Sequence, residues 1–236
     1  MEDFKKEFNI VAVIPARGGS KGIPNKNIVS IYGHPLISWS IHQAISSKKI
    51  SSVWVTSDDQ KILEIAKQYG SNIIERPPEL AKDTSSSESA WIHSIDYLSK
   101  LNIVPDLIVG MQATSPIRNH EDLDAAINTF LGNNYDSLLS VSELEDYFTW
   151  TLDNNSNASP LNYDINNRKP RQQISKSYLE NGSFYIFKPQ LIKKFNNRLY
   201  GKIGMYLMDK HKSFQIDNEE DIKICTGIMK EYNMKQ

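Results

Sequence analysis

The chain has 236 residues, with 27 Lys+Arg against 28 Asp+Glu, a formal net charge of −1, and 39% hydrophobic residues. That length fits one full domain, the apolar content excludes a disordered chain, and the balanced charge removes the electrostatic basis for generic nucleic-acid or membrane-surface binding. The single cysteine, Cys225, excludes an internal disulfide framework and any multi-cysteine metal centre. With no apolar segment near the roughly 20 residues of a membrane span and no secretory leader at Met1, the sequence predicts a cytoplasmic protein.

Short apolar runs alternate with helix-period segments along the chain, which predicts an α/β fold with a mostly parallel sheet. Ile10 to Ile14, Ser52 to Thr56, Asn72 to Glu75, Asp106 to Met111 and Asp136 to Val141 read as strands: β-branched residues dominate and turn residues bound them. Pro35 to Ser46 and Ser86 to Leu98 read as helices. So does Asp58 to Tyr69, with Asp58 as N-cap, Ile62, Ile65, Ala66 and Tyr69 on one face and Gly70 past the end. Asn119 to Leu131 repeats the pattern, capped by Asn119 and terminated by Gly132. The last helix opens at Asn218, with Glu219, Glu220 and Asp221 in its first turn, and buries Cys225. Between residues 143 and 177 the pattern gives way to an Asn-rich polar stretch, which reads as an insertion within a single domain spanning residues 1–236.

The first strand runs into Pro15-Ala16-Arg17-Gly18-Gly19-Ser20-Lys21-Gly22-Ile23-Pro24-Asn25-Lys26-Asn27. Three glycines let backbone N–H groups converge on anionic oxygens, and Arg17, Lys21 and Lys26 supply charge at a spacing a triphosphate can bridge. Neither GxxxxGK[ST] nor GxGxxG is present. Gln112 follows a strand at the carboxyl edge, where ligands of open α/β sheets collect. Asp217 offers a hard oxygen ligand for Mg²⁺, or alternatively an N-cap for the last helix. The five histidines show no metal-ligand spacing.

ARGGSKGIPNKN resembles the nucleotide-binding signature of the CMP-N-acylneuraminate cytidylyltransferases. The similarity continues at Arg76-Pro77-Pro78-Glu79-Leu80-Ala81-Lys82-Asp83-Thr84, Met111-Gln112-Ala113-Thr114-Ser115-Pro116, Pro170-Arg171-Gln172, Glu180-Asn181-Gly182-Ser183-Phe184-Tyr185 and Ile216-Asp217. The resemblance implies a Rossmann-like nucleotidyltransferase three-layer sandwich. It also implies a Mg²⁺-dependent reaction of CTP with a nonulosonic acid, and a homodimer assembled through the inserted segment. By the same resemblance Arg17, Lys21 and Asn27 hold the CTP phosphates and ribose region, with Gly18 and Ser20 in the same loop. Arg76 and Ser85 help form the nucleotide pocket, Gln112 faces nucleotide or sugar, and Tyr185 approaches the sugar. Arg171 matches the family's active-site arginine, while Lys21, Arg171 and Asp217 form the catalytic set, with Asp217 on the metal. Many members carry Asp-Ile-Asp where this chain has Gln215-Ile216-Asp217, and a neutral amide is the poorer Mg²⁺ ligand. Two alternatives stay open: an enzyme acting on an eight-carbon acid, and a CTP-binding module without turnover.

Overall fold

The computed structural model describes residues 8–20, 22–144 and 148–236, and the backbone but not the side chain of Arg171. In chain order the elements are β1 (Ile10–Pro15), β2 (Ser30–Ile31), β3 (His34–Pro35), α1 (Leu36–Ser46), β4 (Ser52–Ser57), α2 (Gln60–Gln68) and β5 (Asn72–Glu75). Then follow α3 (Ser87–Lys100), β6 (Leu107–Met111), α4 (His120–Gly132), β7 (Ser137–Leu144), β8 (Trp150–Leu152) and β9 (Ala158–Pro160). The chain closes with β10 (Ser177–Phe187), α5 (Pro189–Phe195), β11 (Ile203–Leu207) and α6 (Glu219–Glu231).

Seven strands form one sheet in the order β11-β7-β10-β6-β1-β4-β5. β1 lies parallel to β4 and β6, pairing Val11 with Ser52 and Ile10 with Leu107. It is fully buried from Val11 to Ile14, as expected of a central strand covered on both faces. β10 alone runs antiparallel to its neighbours, with Phe184 opposite Met111 of β6 and Ile186 opposite Leu138 of β7. Its register against β7 jumps between Glu180 and Tyr185, so residues 181–184 form a buried bulge in that ladder, with Phe184 still paired to β6.

One face of the sheet packs against α1, α2 and α4 through Ile37, Ile41, Ala66, Leu123 and Phe130. The other packs against α3 through Trp91, Ile95 and Leu98. This is the expected three-layer arrangement. A third cluster joins α6 to the segment after β1: Ile216, Cys225 and Met229 meet Ile23, Ile31, Leu36 and Trp39. Cys225 is buried, and burial, with a smaller contribution from Asp221, pushes its thiol up to about 12 from an ordinary value of 9. The protonated thiol is favoured by the fold, so its contribution to stability is complete below pH 9 and is lost as pH rises through about 12. DTNB should therefore label Cys225 quickly only after denaturation. Cys225→Ala should also flatten the fall in stability that wild type shows above about pH 9, read by urea denaturation.

Gly110 sits in β6 where a Cβ would lie 2.7 Å from the buried indole of Trp91. Gly110→Ala is expected to cost about 1–3 kcal/mol by overpacking, measured by chemical denaturation.

Two local expectations need correction. Asp59, not Asp58, caps α2: its carboxylate accepts from the backbone N–H of Lys61 (2.8 Å) and Ile62 (3.2 Å). Gly132 is not the terminator past the end of α4 but its last helical residue; Asn133 caps the helix, and Asn134 (φ 51°) takes the left-handed turn. The inserted 143–177 stretch starts at the end of β7 and runs to the first residue of β10, with the β8–β9 hairpin and a short 3-10 turn at Arg171–Gln173 between them. Among the described residues no helix is long and apolar enough to cross a membrane.

Candidate active site

The segment after β1 is held in place by contacts that need its glycines. The N–H of Gly18 donates to Asp58 Oδ1 at 3.1 Å, and a Cβ on Gly18 would lie 2.6 Å from Asp59 Oδ2. Asp58 is thus turned toward the loop, while its neighbour caps the helix. A Cβ on Gly22 would lie 2.3 Å from the backbone oxygen of Asp217, so only glycine lets this loop meet the approach to α6. Asn27 fixes the loop from within, its Nδ2 donating to the carbonyl of Arg17 at 3.0 Å.

Around this loop, at the carboxyl ends of β1, β5 and β6, opens a cleft of about 440 Å³. Arg17, Ser20, Asn27, Arg76, Ser85, Gln112 and Asp217 all line it, which brings together most of the residues singled out in the sequence. Lys21 lies outside the described residues, and of Arg171 only the backbone is described, within a 3-10 turn.

Three cations of the cleft, Arg17, Lys26 and Arg76, face carboxylates. Arg17 Nη1 is 2.6 Å from Asp83 Oδ1, and Lys26 Nζ is 2.9 Å from Asp217 Oδ1. Arg76 is buried, donates from Nη2 to the carbonyl of Ala16 at 3.3 Å and lies 3.7 Å from Asp58. Burial lowers its pKa, and Asp58 partly offsets that effect. An anionic ligand entering here exchanges with carboxylates already in place and does not have to strip bare cations of water. Ser85 donates its hydroxyl to the carbonyl of Glu79 at 3.3 Å, closing the turn that carries Asp83.

The opposite wall is built on β6 and β10. The Gln112 N–H donates to the carbonyl of Ser183 at 3.1 Å. Gly182 (φ +64°) lies in the bulge, where a Cβ would be 3.3 Å from Gln112 Oε1 and 2.6 Å from Gln215 Nε2. The Gln215 amide is committed to that bulge, donating to the carbonyl of Asn181 at 2.5 Å. The Ile216 N–H donates to the carbonyl of Thr114 at 2.8 Å, which sets Asp217 beside the Gln112 loop.

Asp217 does not cap α6. Asn218 does, its side chain accepting from the N–H groups of Glu220 and Asp221, and Asp221 Oδ2 accepts in return from the N–H of Asp217 (2.8 Å) and of Asn218 (2.9 Å). The Asp217 carboxylate is left to face the cleft and is 73% exposed. Among the described residues no group of three or more His, Cys, Asp or Glu side chains could hold a metal ion. Tyr185 is buried below the cleft wall, edge-on to Trp91; its hydroxyl donates to Glu180 Oε1 at 2.5 Å, and burial raises its pKa.

Sequence reasoning counted Lys26 among the loop cations but left it out of the site, where it is the direct partner of Asp217. It missed Asp58 as a loop anchor and Trp91 as part of the wall. Only the charge spacing of the loop carried a signal for Lys26; an indole in an amphipathic helix reads as core, which Trp91 also is.

A family model described as Cytidylyltransferase matches residues 11–235. The chain is 37% identical over 224 residues to an N-acylneuraminate cytidylyltransferase of Oncorhynchus mykiss, covering 94% of this chain and 50% of that protein. It is 32% identical over 232 residues to post-translational flagellin modification protein B of Campylobacter coli, covering 96% of this chain and 97% of that one. A pseudaminic acid cytidylyltransferase of Campylobacter jejuni is 30% identical over 224 residues, covering 93% and 96%. The chain thus spans about half the length of the fish relative and nearly all of the bacterial ones. Among solved structures, a CMP:2-keto-3-deoxy-manno-octonic acid synthetase complexed with CTP superposes with a TM-score of 0.73 at 15% identity, over 95% of this chain and 99% of that one, a likeness of fold. With the model matched over nearly the whole length, the chain belongs to the cytidylyltransferase family.

Proposed function

We propose that this protein joins CTP and a 3-deoxy-2-keto nonulosonic acid to give the CMP-sugar and pyrophosphate. The observation that carries this reading is the cleft at the carboxyl edge of β1 and β6, where Arg17, Lys26 and Arg76 converge and Gln112 forms the facing wall. The names of relatives that are 30% to 37% identical support the substrate class. In the reaction the anomeric hydroxyl oxygen bonds to the α-phosphorus of CTP, the bond from that phosphorus to the β-bridging oxygen breaks, and the hydroxyl proton passes to solvent. The pyrophosphate carries away the electron pair, and Lys26 and Arg17 neutralise the charge that develops on it. Lys21 and Arg171 belong to this set by resemblance.

A Mg²⁺ ion fits the residues present. Asp217 offers one exposed, hard oxygen ligand, and Mg²⁺ is held by one or two carboxylates together with substrate phosphates and water. Gln215 is not a ligand in this reading: its amide is held against the bulge by its bond to Asn181, and it is not among the residues that line the cleft. When bound, the ion supplies charge neutralisation at the phosphates and lowers the pKa of the attacking hydroxyl.

A homodimer is part of the proposal. Trp150, Leu152 and Leu161 are exposed on and next to the β8–β9 hairpin, and Tyr178 and Leu179 are exposed on β10, apolar surface that a second copy would cover. Light scattering behind size exclusion should give twice the chain mass; a monomer would count against it. We also place the enzyme in the cytoplasm, the compartment that supplies CTP.

The deciding experiment is pyrophosphate release with Mg²⁺, each of the four nucleoside triphosphates, and a panel of eight- and nine-carbon 2-keto-3-deoxy acids. Turnover with CTP and a nine-carbon acid is expected. Turnover only with an eight-carbon acid would reassign the substrate, and CTP binding with no turnover on any acid would make this a binding module.

A further inference from the structure

Arg118 follows the Gln112 loop and is 1% exposed, yet no carboxylate is within hydrogen-bonding reach of its guanidinium among the described residues. Burial drives its pKa down to about 9, and Asp122 only partly opposes this at a distance. A buried cation held by neutral groups alone is an expensive feature of a fold. Its placement shows what it does.

The fork spans three segments. Nη1 donates to the carbonyl of Ser115 (2.8 Å), to the carbonyl of Ser183 (2.9 Å) and to the hydroxyl of Ser183 (3.0 Å). Nη2 donates to the hydroxyl of Ser40 in α1 (2.5 Å) and to the carbonyl of Gln112 (3.2 Å). Since the Gln112 N–H already donates to the carbonyl of Ser183, the backbone of Gln112 is fixed at both its polar groups, and both bonds run through the Arg118–Ser183 junction. Ser183 follows Gly182, over which the amides of Gln112 and Gln215 meet. The 15–27 loop has hydrogen bonds of its own to Asp58, within itself through Asn27, and to Arg76, none of them shared with Arg118, and it meets the 112–118 segment through Asp217 and the Ile216–Thr114 bond.

We propose that Arg118 is a positioning residue for the Gln112 wall of the cleft, assigned here to the acceptor sugar, holding Gln112 and the 181–184 bulge in one fixed relation while the 15–27 loop keeps its own hydrogen bonds. This rests on the reading of the cleft given above. A lysine at 118 keeps the charge but cannot span both junctions, because the planar fork is what reaches them.

The test compares Arg118→Lys and Arg118→Met with wild type, using N-acetylneuraminic and pseudaminic acids as acceptors. CTP affinity by calorimetry should stay within about twofold, because the two anchoring sets share no partner. The KM for whichever acid wild type uses should rise about tenfold to a hundredfold, or kcat fall as much, with lysine the milder change. Equal losses for CTP and acid at matched folded fraction, or no change in either, would overturn the proposal. If the Arg118 variants do not fold, Ser183→Ala and Ser40→Ala each remove one hydroxyl contact and should show the same acid-selective shift at about twofold to tenfold. Folded variants without that shift would also overturn it.

Hydrogen exchange separates this proposal from the substrate assignment. In the ligand-free variants, exchange should quicken in peptides covering 112–118 and 181–184 and stay unchanged over 15–27. That result would support the positioning role even if wild type turned over neither acid, whereas unchanged exchange in 112–118 and 181–184 would reject it.

Discussion

Asp217→Asn is expected to lower turnover by about two orders of magnitude or more while leaving the melting temperature within about 2 °C of wild type. The two halves of this expectation have separate physical origins. The carboxylate is 73% exposed and its bond to Lys26 is a pair of the kind that contributes about 0–1 kcal/mol, so little stability depends on it. The cap of α6 is Asn218 and the reciprocal carboxylate is Asp221, neither of which the substitution touches. The charge itself is lost, and with it the one described cleft carboxylate that faces Lys26. Steady-state pyrophosphate release alongside a thermal melt checks both halves: a large drop in melting temperature with turnover intact would return Asp217 to a structural role.

Lys26→Ala should cost a comparable amount, about 10²–10³ in kcat, the loss seen when one preorganised donor to a developing negative charge is removed. Lys26 is 17% exposed, already partly desolvated, and its partner is a single carboxylate that a phosphate can replace. Arginine at this position should recover only part of the rate, since the ammonium is a compact point charge and the guanidinium is a wider planar fork. The effect should fall mainly on kcat if Lys26 acts on the leaving group, and mainly on KM for CTP if it only binds the ground state. Near-wild-type turnover for Lys26→Ala would remove it from the reaction.

The elements that the sequence made legible are those whose signals are local. The five strands carried continuous β-branched runs, and α2, α4 and α6 carried amphipathic stripes with acidic or amide caps, so they were found within a few residues of their true bounds. The Asp58-Asp59 pair shows where local signals stop. Either aspartate can cap α2, and what decides is the Gly18 N–H, forty residues earlier, which claims Asp58. β10 was obscured for a related reason: its first four residues are exposed, its register against β7 breaks over 181–184, and the buried run from 181 to 187 carries no mark of strand direction. α5 and β11 have too few residues for periodicity to speak. Within the site, glycines and cations in one loop announced a phosphate-binding role, and Gln112 was placed by its strand end. Arg118 was invisible, because an arginine after a Ser-Pro turn looks like surface, and only the assembled sheet shows that the side chain is enclosed.

The contact between Gly22 and Asp217, with the cluster of Ile216, Cys225 and Met229 over Ile23 and Trp39, ties the first-made loop of the chain to nearly its last-made helix. During synthesis that loop waits for almost two hundred further residues before its packing is complete. β10, inserted between β6 and β7, must also arrive before the second wall exists. Long-range closure of this kind is slow compared with local helix formation. A growing chain would therefore carry a formed β1–β4–β6 core with apolar residues around Trp39 still uncovered, and would become competent for its ligand only at the end. Refolding from denaturant should accordingly regain native helix signal before it regains CTP binding, and the interval between them is when this protein is most exposed to aggregation.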